Sequence, residues 1–299
     1  TARTVAVTGV TIKVGDNASD TATMTAGEEL QLSAEVKPDE ATDKTVTWSS
    51  NNEDVATVDE NGKVTAKTVT QDTQVTITAT ANDGSNVTGI INITVKPVAV
   101  TNISITKDVN TPATNESLEK DATLQLTATV TPNNAANKEV SWSVENTEGT
   151  DVVSLSGTTG DSITVTAKSG GKATIKATAG GKTATCTVTV TVPVTGVSIK
   201  SSENKTTLNV DDTLQLTANV TPDGADYDKN QISWDVTSGA QYVTISTPAK
   251  GETITVTGKS AGEATITAKA IGGENITDSI EITVNPKALE SITLTTEKD

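Results

Sequence analysis

The sequence contains no histidine and no phenylalanine, one cysteine, and only 2% aromatic residues. Without histidine the chain cannot build a histidine-based acid, base or nucleophile relay, nor an imidazole metal site. The single cysteine cannot form an internal disulfide, and without histidine it cannot form the thiol pair of papain-like enzymes. No phosphate-binding glycine loop follows a strand. These absences predict a protein without catalytic activity and without a cofactor.

Long apolar runs and net positive charge are also missing. No run approaches the roughly 18 apolar residues of a transmembrane helix, so we expect no membrane insertion. The net charge is −16, from 22 Lys and Arg against 38 Asp and Glu, so nucleic acid is not an expected partner. The chain opens on TARTVAVTGV, without Met or a leader peptide. This indicates that a signal was removed or that the chain is a piece of a longer protein.

What the sequence does have is one passage that occurs three times. The copies are LQLSAEVKPDEATDKTVTWSS at 30–50, LQLTATVTPNNAANKEVSWSV at 124–144 and LQLTANVTPDGADYDKNQISWDV at 214–236. Their tryptophans, Trp48, Trp142 and Trp234, recur at intervals of about 93 residues. That interval is the length of a whole small domain, so we expect three domains in tandem.

Each repeat is built from short runs in which apolar and polar residues alternate. In QVTITATA at 74–81 and in TCTVTVTV at 185–192, every second residue is apolar and threonine fills most of the other positions. Period-two alternation rich in Thr, Val and Ile is typical of strands with one buried face. Turn signals such as the Asn-Gly pair at 61–62 separate the runs. About seven strands per repeat predict an all-β, two-sheet antiparallel sandwich.

Several passages together resemble a known family. They are VTGVTI at 7–12, VATVDENGKVTA at 55–66, LQLTATVTP at 124–132, GKATIKAT at 171–178 and TATCTVTV at 183–190. In these passages the chain resembles the bacterial Ig-like domain group 2 (BIG2) family, over almost its whole length. The second and third repeats keep the strand pattern but have other residues in place of the VDENGKVTA motif. The resemblance implies tandem immunoglobulin-like sandwiches.

The tryptophans and the cysteine are predicted to be core residues. Each tryptophan lies in a strand-like run, as in VTWSS, VSWSV and ISWDV, and a core so poor in aromatics needs one large apolar body. We therefore interpret Trp48, Trp142 and Trp234 as core anchors rather than ligand platforms. The family resemblance implies that Cys186, in the last strand of the second repeat, is an inert core thiol.

The expected domains are 1–97, 98–193 and 194–287, and residues 288–299 read as the first strand of a further repeat or as a C-terminal tail. The linkers are short, and each contains one proline: Pro97, Pro193 or Pro286. Proline stiffens such steps, which predicts an elongated rod on the order of 100 Å long. An alternative is that the last segment, LESITLTTEKD, adds a strand to another molecule.

Two groups of residues in the third repeat are candidates for binding. Calcium prefers clustered oxygen ligands, and one loop offers a set of them: Asp223, Asp226, Asp228 and Asn230. The alternative is a turn capped by Asp and Asn side chains. Tyr227 and Tyr242 are the remaining aromatics and are candidates for a loop-end ligand contact, the alternative being ordinary loop or edge tyrosines.

These features favour a non-catalytic structural region of an extracellular bacterial surface protein, such as an S-layer protein or an adhesin stalk. Expected partners are other copies of the chain or components of the cell wall or surface. The alternative is a set of Ig-like decoration domains on a phage tail or capsid protein, which give weak surface adhesion. Flanking sequence would separate the two settings.

Overall fold

The computed structural model describes residues 3–108, 111–270 and 276–287. Within these ranges the regular secondary structure is almost entirely β-strand, with short 3-10 helices at Ser202–Asn204 and Lys229–Gln231. The predicted all-β architecture of tandem sandwiches is confirmed, because each repeat forms two separate sheets. Residues 288–299, which the sequence predicts to begin a further repeat or to donate a strand, lie outside the described residues.

The strands of the first repeat are β1 (Gly9–Val14), β2 (Asn17–Ala18), β3 (Thr21–Thr25), β4 (Glu29–Lys37), β5 (Val46–Ser50), β6 (Ala56–Val58), β7 (Lys63–Ala66), β8 (Thr73–Ala81) and β9 (Thr88–Lys96). One sheet has the order β2-β1-β4-β7-β6 and the other β3-β9-β8-β5. The tryptophan strand β5 is therefore an edge strand.

The second repeat has the same plan. Its strands are β10 (Asn102–Lys107), β11 (Thr111–Pro112), β12 (Asn115–Glu119), β13 (Thr123–Thr131), β14 (Ser141–Glu148), β15 (Val153–Leu155), β16 (Ser162–Ala167), β17 (Gly171–Ala179) and β18 (Lys182–Thr191). The sheets have the orders β11-β10-β13-β16-β15 and β12-β18-β17-β14.

The third repeat differs mainly in its first strands. Its strands are β19 (Gly196–Ser201), β20 (Thr207–Asn209), β21 (Thr213–Thr221), β22 (Ser233–Ser238), β23 (Val243–Ile245), β24 (Thr253–Gly258), β25 (Gly262–Ala270) and β26 (Ile276–Asn285). The sheets have the orders β19-β21-β24-β23 and β20-β26-β25-β22. The 3-10 helix at Ser202–Asn204 separates β19 from β20, and β20 is shorter than its counterparts β3 and β12.

Most strand pairs are antiparallel, as the sequence predicts, but each repeat also contains a parallel pair. In these pairs β3 runs beside β9, β12 beside β18, and β20 beside β26. The chain leaves the first sheet after its opening strand and crosses to the second sheet, where it joins the last strand of the repeat. The opening segment therefore ties the two sheets together.

The alternation seen in the sequence is the alternation of burial. In β8, Val75, Ile77, Ala79 and Ala81 are buried, and the intervening Thr and Gln residues are not. Each repeat has a hydrophobic core of its own. The largest fully buried side chains include Ile77, Ile91, Leu126, Ile175, Leu216, Ile266 and Ile282. Apart from Val98, which packs against the first core from the start of the second repeat, each core draws on one repeat, so each sandwich is a largely self-contained packing unit.

Candidate functional site

The three tryptophans occupy matching strands but differ in burial. Trp142 and Trp234 are only 3% and 4% exposed, whereas Trp48 is partly buried and packs against the rim of the first core. The sequence prediction treats all three as equivalent core anchors. The difference in burial comes from the connection that follows the short strands β6, β15 and β23.

In the second and third repeats, the connection after the short strands β15 and β23 runs along the tryptophan strand. Trp142 donates its backbone N–H to Thr158 O at 2.8 Å, and its indole N–H to Gly160 O at 2.7 Å. Trp234 repeats the arrangement, with its backbone N–H donating to Ala249 O at 3.0 Å and its indole N–H to Gly251 O at 2.8 Å. An added segment thus covers both the indole and the outer edge of its strand.

The first repeat has a tight turn in the same place. The turn spans 59–62 and is closed by the Gly62 N–H, which donates to Asp59 O at 3.1 Å. Gly62 has a φ of 79°, a conformation that favours glycine, and a Cβ there would lie 2.9 Å from the Trp48 indole. The turn touches the indole but does not run along β5, so the edge of that strand stays open.

Two of the four calcium candidates in the third repeat, Asp226 and Asp228, have structural roles. Asp226 accepts the Val192 N–H at 2.6 Å, and its own N–H donates to Val192 O at 2.7 Å. Asp228 accepts the Asn230 N–H at 2.9 Å and caps the 3-10 helix that follows. Residues 3–108, 111–270 and 276–287 contain no group of three or more Cys, Asp or Glu residues placed to hold a metal ion. Calcium binding by Asp223, Asp226, Asp228 and Asn230 stays a prediction.

The Asp226 contact is a feature of the junction between repeats. Val192 directly follows the last strand of the second repeat, and the Asp226 carboxylate also lies beside Gly170 of that repeat. The corresponding contact before the second repeat consists of the Ala136 N–H donating to Val98 O at 2.9 Å. Alanine has no side-chain acceptor, so the second junction has a clamp that the first lacks.

The two tyrosines are partly buried at the rim of the third core. The Tyr227 hydroxyl donates to Glu252 Oε1 at 2.6 Å, and this bond, together with partial burial and the carboxylate charge, raises the pKa of Tyr227 to about 12. Tyr242 packs on the backbone of Gly262 and borders an open groove of about 520 Å³ with Glu263 and Glu281. Ligand binding by either tyrosine stays a prediction.

Cys186 is fully buried in β18. Burial raises the pKa of its thiol to about 11, and the charge of Glu116 adds to the rise. At neutral pH the reactive thiolate is therefore scarce. The structure places the thiol where the family resemblance expects an inert core residue.

An ion pair near this cysteine is a feature that the sequence reasoning missed. Lys107 Nζ lies 2.6 Å from Glu116 Oε2, and this bond raises the pKa of Lys107. The strand registers place Lys107 and Glu116 where the first repeat has Val14 and Ala22. The available signal was the joint replacement of two apolar residues by opposite charges in an otherwise repeated pattern.

The outer surfaces of the sandwiches are polar. In the described part of the chain, Ile90 and Val144 are the large hydrophobic residues that are exposed. No helix in the described ranges is long and apolar enough to cross a membrane. Threonine side chains line much of the outer sheet faces, as in β18.

The fold and the repeat pattern agree with a comparison against known families. The chain belongs to the bacterial Ig-like domain (group 2) family, whose model matches residues 6–91, 99–190 and 193–275. The match occurs once in each repeat, so the resemblance read from the sequence is confirmed.

Similar proteins come from bacteria and from phages. The Ig-like virion protein of Serratia phage KSP90 is 37% identical over 124 residues, which are 41% of this chain and 45% of that protein. The tail tube protein pb6 of Escherichia phage T5 is 40% identical over 90 residues, 30% of this chain and 18% of that protein. A 3-O-alpha-D-galactosyl-alpha-L-arabinofuranosidase of Bifidobacterium longum subsp. longum is 48% identical over 90 residues, 30% of this chain and 8% of the enzyme. The similarity therefore covers less than half of each relative.

Proposed function

We propose that this chain is a non-catalytic spacer region of an extracellular bacterial protein, such as an S-layer protein or an adhesin stalk, which projects or tiles other domains. The observation that carries the proposal is that each repeat closes its own core behind polar outer faces. Units with separate cores can be joined in tandem without sharing a core. Their partners would be further copies of the chain or components of the cell surface.

The range of relatives supports a role that does not depend on chemistry. Similar domains occupy 8% of a glycosidase and 18% of a phage tail tube protein, and these proteins share no reaction. A unit that recurs beside unrelated activities fits a structural or adhesive task better than a catalytic one. The glycosidase match therefore does not transfer an enzyme activity to this chain.

The acidic surface suits a spacer outside the cell. The net charge of −16 keeps the repeats soluble and disfavours collapse of one repeat onto another through like-charge repulsion. Proline in the linkers and the Asp226 clamp restrict the conformational freedom of the linkers between repeats. Together these features favour an extended arrangement.

A phage setting is the second candidate. It is favoured by the 45% share of the Serratia phage virion protein that this chain matches. In that setting the repeats would decorate a tail or capsid and give weak adhesion to a host surface.

Localisation separates the two settings and tests the proposal. Antibodies raised against the purified chain would be applied to intact cells of the encoding organism and to virions induced from it. Gold label on intact cells supports the cell-surface role, and label on virions supports the second candidate. Label that appears only after the cells are permeabilised would refute both.

A further inference from the structure

The strand β5 presents an open sheet edge. The Asn51 N–H donates to Thr76 O at 3.1 Å, so the odd-numbered residues of this stretch face the neighbouring strand β8. Alternate residues of an antiparallel strand face opposite edges. The backbone N–H and C=O groups of Val46 and Trp48 therefore point away from the sheet. No residue of the described chain pairs with these groups or with the Trp48 indole N–H.

The second and third repeats show what such an edge accommodates. Each seats an extended segment with a small residue, one further residue and then glycine: Thr158 to Gly160, and Ala249 to Gly251. The small residue accepts the tryptophan backbone N–H, and the glycine carbonyl accepts the indole N–H. Both glycines have a φ above 100°, where other residues are strained. The second and third repeats thus show which kind of segment would fit the uncovered edge of β5.

The acidic residues around β5 favour a binding partner of positive charge. Glu53 and Asp54 lie three and four residues beyond the end of the strand, and Asp59 and Glu60 lie in the turn that touches the Trp48 indole. All four are exposed and none of them forms a salt bridge with a described residue, although the charge of Asp59 helps to raise the pKa of Lys63. These four carboxylates outnumber the nearby lysines, Lys44 and Lys63, so the edge repels an acidic strand and favours a basic one.

We propose that the β5 edge of the first repeat binds an extended, lysine- or arginine-bearing peptide strand of a partner protein, with a glycine whose carbonyl accepts the Trp48 indole N–H. Main-chain hydrogen bonds to Val46 and Trp48 supply affinity, and the glycine and the basic residues supply selectivity. A second copy of this chain is a poorer occupant, because each copy has a net charge of −16.

The test uses the whole ¹⁵N-labelled chain and a synthetic peptide, KTPAKGKT, patterned on residues 247–251 with added lysines. NMR titration should shift the amide signals of Val46 and Trp48 and the indole signal of Trp48. The indole signals of Trp142 and Trp234 should stay in place, since their edges are already covered. Two control peptides, ETPAEGET and KTPAKPKT, change the charge or the glycine and should bind at least about tenfold more weakly.

Two variants close the edge in different ways. The first replaces residues 59–62 by SGTTGDSI, the sequence of residues 156–163 that includes the segment covering the edge in the second repeat, because Lys63 and Thr164 hold matching positions in the strand registers. It should protect the Trp48 amide from hydrogen exchange and weaken binding of KTPAKGKT at least about tenfold. If that graft fails to fold, the second variant is Val46→Pro. It removes a backbone N–H that points away from the sheet, keeps every hydrogen bond to β8, and should likewise weaken binding of KTPAKGKT. Retained dispersion of the other first-repeat signals checks the fold.

Three results would overturn the proposal. The first is the absence of any shift at β5 with millimolar KTPAKGKT. The second is an equal response to the acidic peptide, or equal shifts at all three indoles. The third is protection of the Trp48 amide that rises with protein concentration in the absence of peptide, because this would assign the edge to a second copy of the chain.

Discussion

Replacing each tryptophan by phenylalanine should have unequal effects on the three repeats. Trp234→Phe removes the indole donor and leaves the Gly251 carbonyl without its partner, which costs about 1–2 kcal/mol. The smaller ring also leaves roughly 40 Å² of apolar surface unburied, about 1 kcal/mol at 25 cal/mol per Å². Because Trp234 is 4% exposed, little of this loss can be recovered by solvent. We expect the third repeat to lose about 2–3 kcal/mol.

The same change at Trp48 should cost less than about 1 kcal/mol, because its indole N–H has no partner in the described chain and its ring is partly exposed. Native-state hydrogen exchange of the whole chain, read by mass spectrometry of peptides from each repeat, measures both effects in one protein. Trp234→Phe should speed exchange in the core strands of the third repeat by roughly 30- to 150-fold, and Trp48→Phe in the first repeat by about fivefold or less. Equal acceleration in the two repeats would refute the assignment of different roles to these residues.

Other changes should act within single repeats. Ile175→Ala, at a fully buried site, should destabilise the second repeat by about 2–5 kcal/mol and leave exchange in the others unchanged, since each core is separate. Asp226→Ala should speed hydrogen exchange of the Val192 amide, which donates to the Asp226 carboxylate, whereas Asp223→Ala should not. Equal effects of the two substitutions would refute the role of Asp226 at this junction. The Tyr227 phenol should titrate near pH 12 in an ultraviolet titration, and Glu252→Gln should lower that pKa. Because the folded pKa is raised, the stability it contributes is fully present below about pH 10 and is lost as the pH rises towards about 12.

The strands could be predicted from the sequence because their signal is local. The alternation in QVTITATA places Val75, Ile77 and Ala79 on one face, and all three are buried in β8. The repeat interval indicates the number of domains, because similar passages at domain-length spacing are expected to share a fold. The parallel pairing of β3 with β9 was not predictable, because it joins segments about 70 residues apart and depends on how the sheets close.

The tryptophans show where local patterns are insufficient. The flanking residues VTWSS, VSWSV and ISWDV give no hint that Trp48 differs from Trp142 and Trp234. The difference arises in another connection, where an Asn-Gly turn replaces a longer segment. That contrast is visible in the sequence, but its consequence for Trp48 depends on which strand the segment crosses.

The Asp226 clamp was also beyond sequence reasoning. Its partner, Val192, lies 34 residues earlier, in the linker. Clustered Asp residues favour both a cation site and a capped turn, and only the geometry of the backbone around them decides which groups they meet. The Lys107–Glu116 pair illustrates the same limit, since it joins residues of two strands in different sheets.

Small-angle X-ray scattering of the purified chain most directly tests the claim that three self-contained sandwiches act as an extended spacer. A rod on the order of 100 Å gives a radius of gyration of about 30 Å, whereas a compact protein of this length gives about 19 Å. We expect the larger value, unchanged on dilution. A value close to that of the compact protein would mean that the repeats pack on one another, and it would contradict the spacer function.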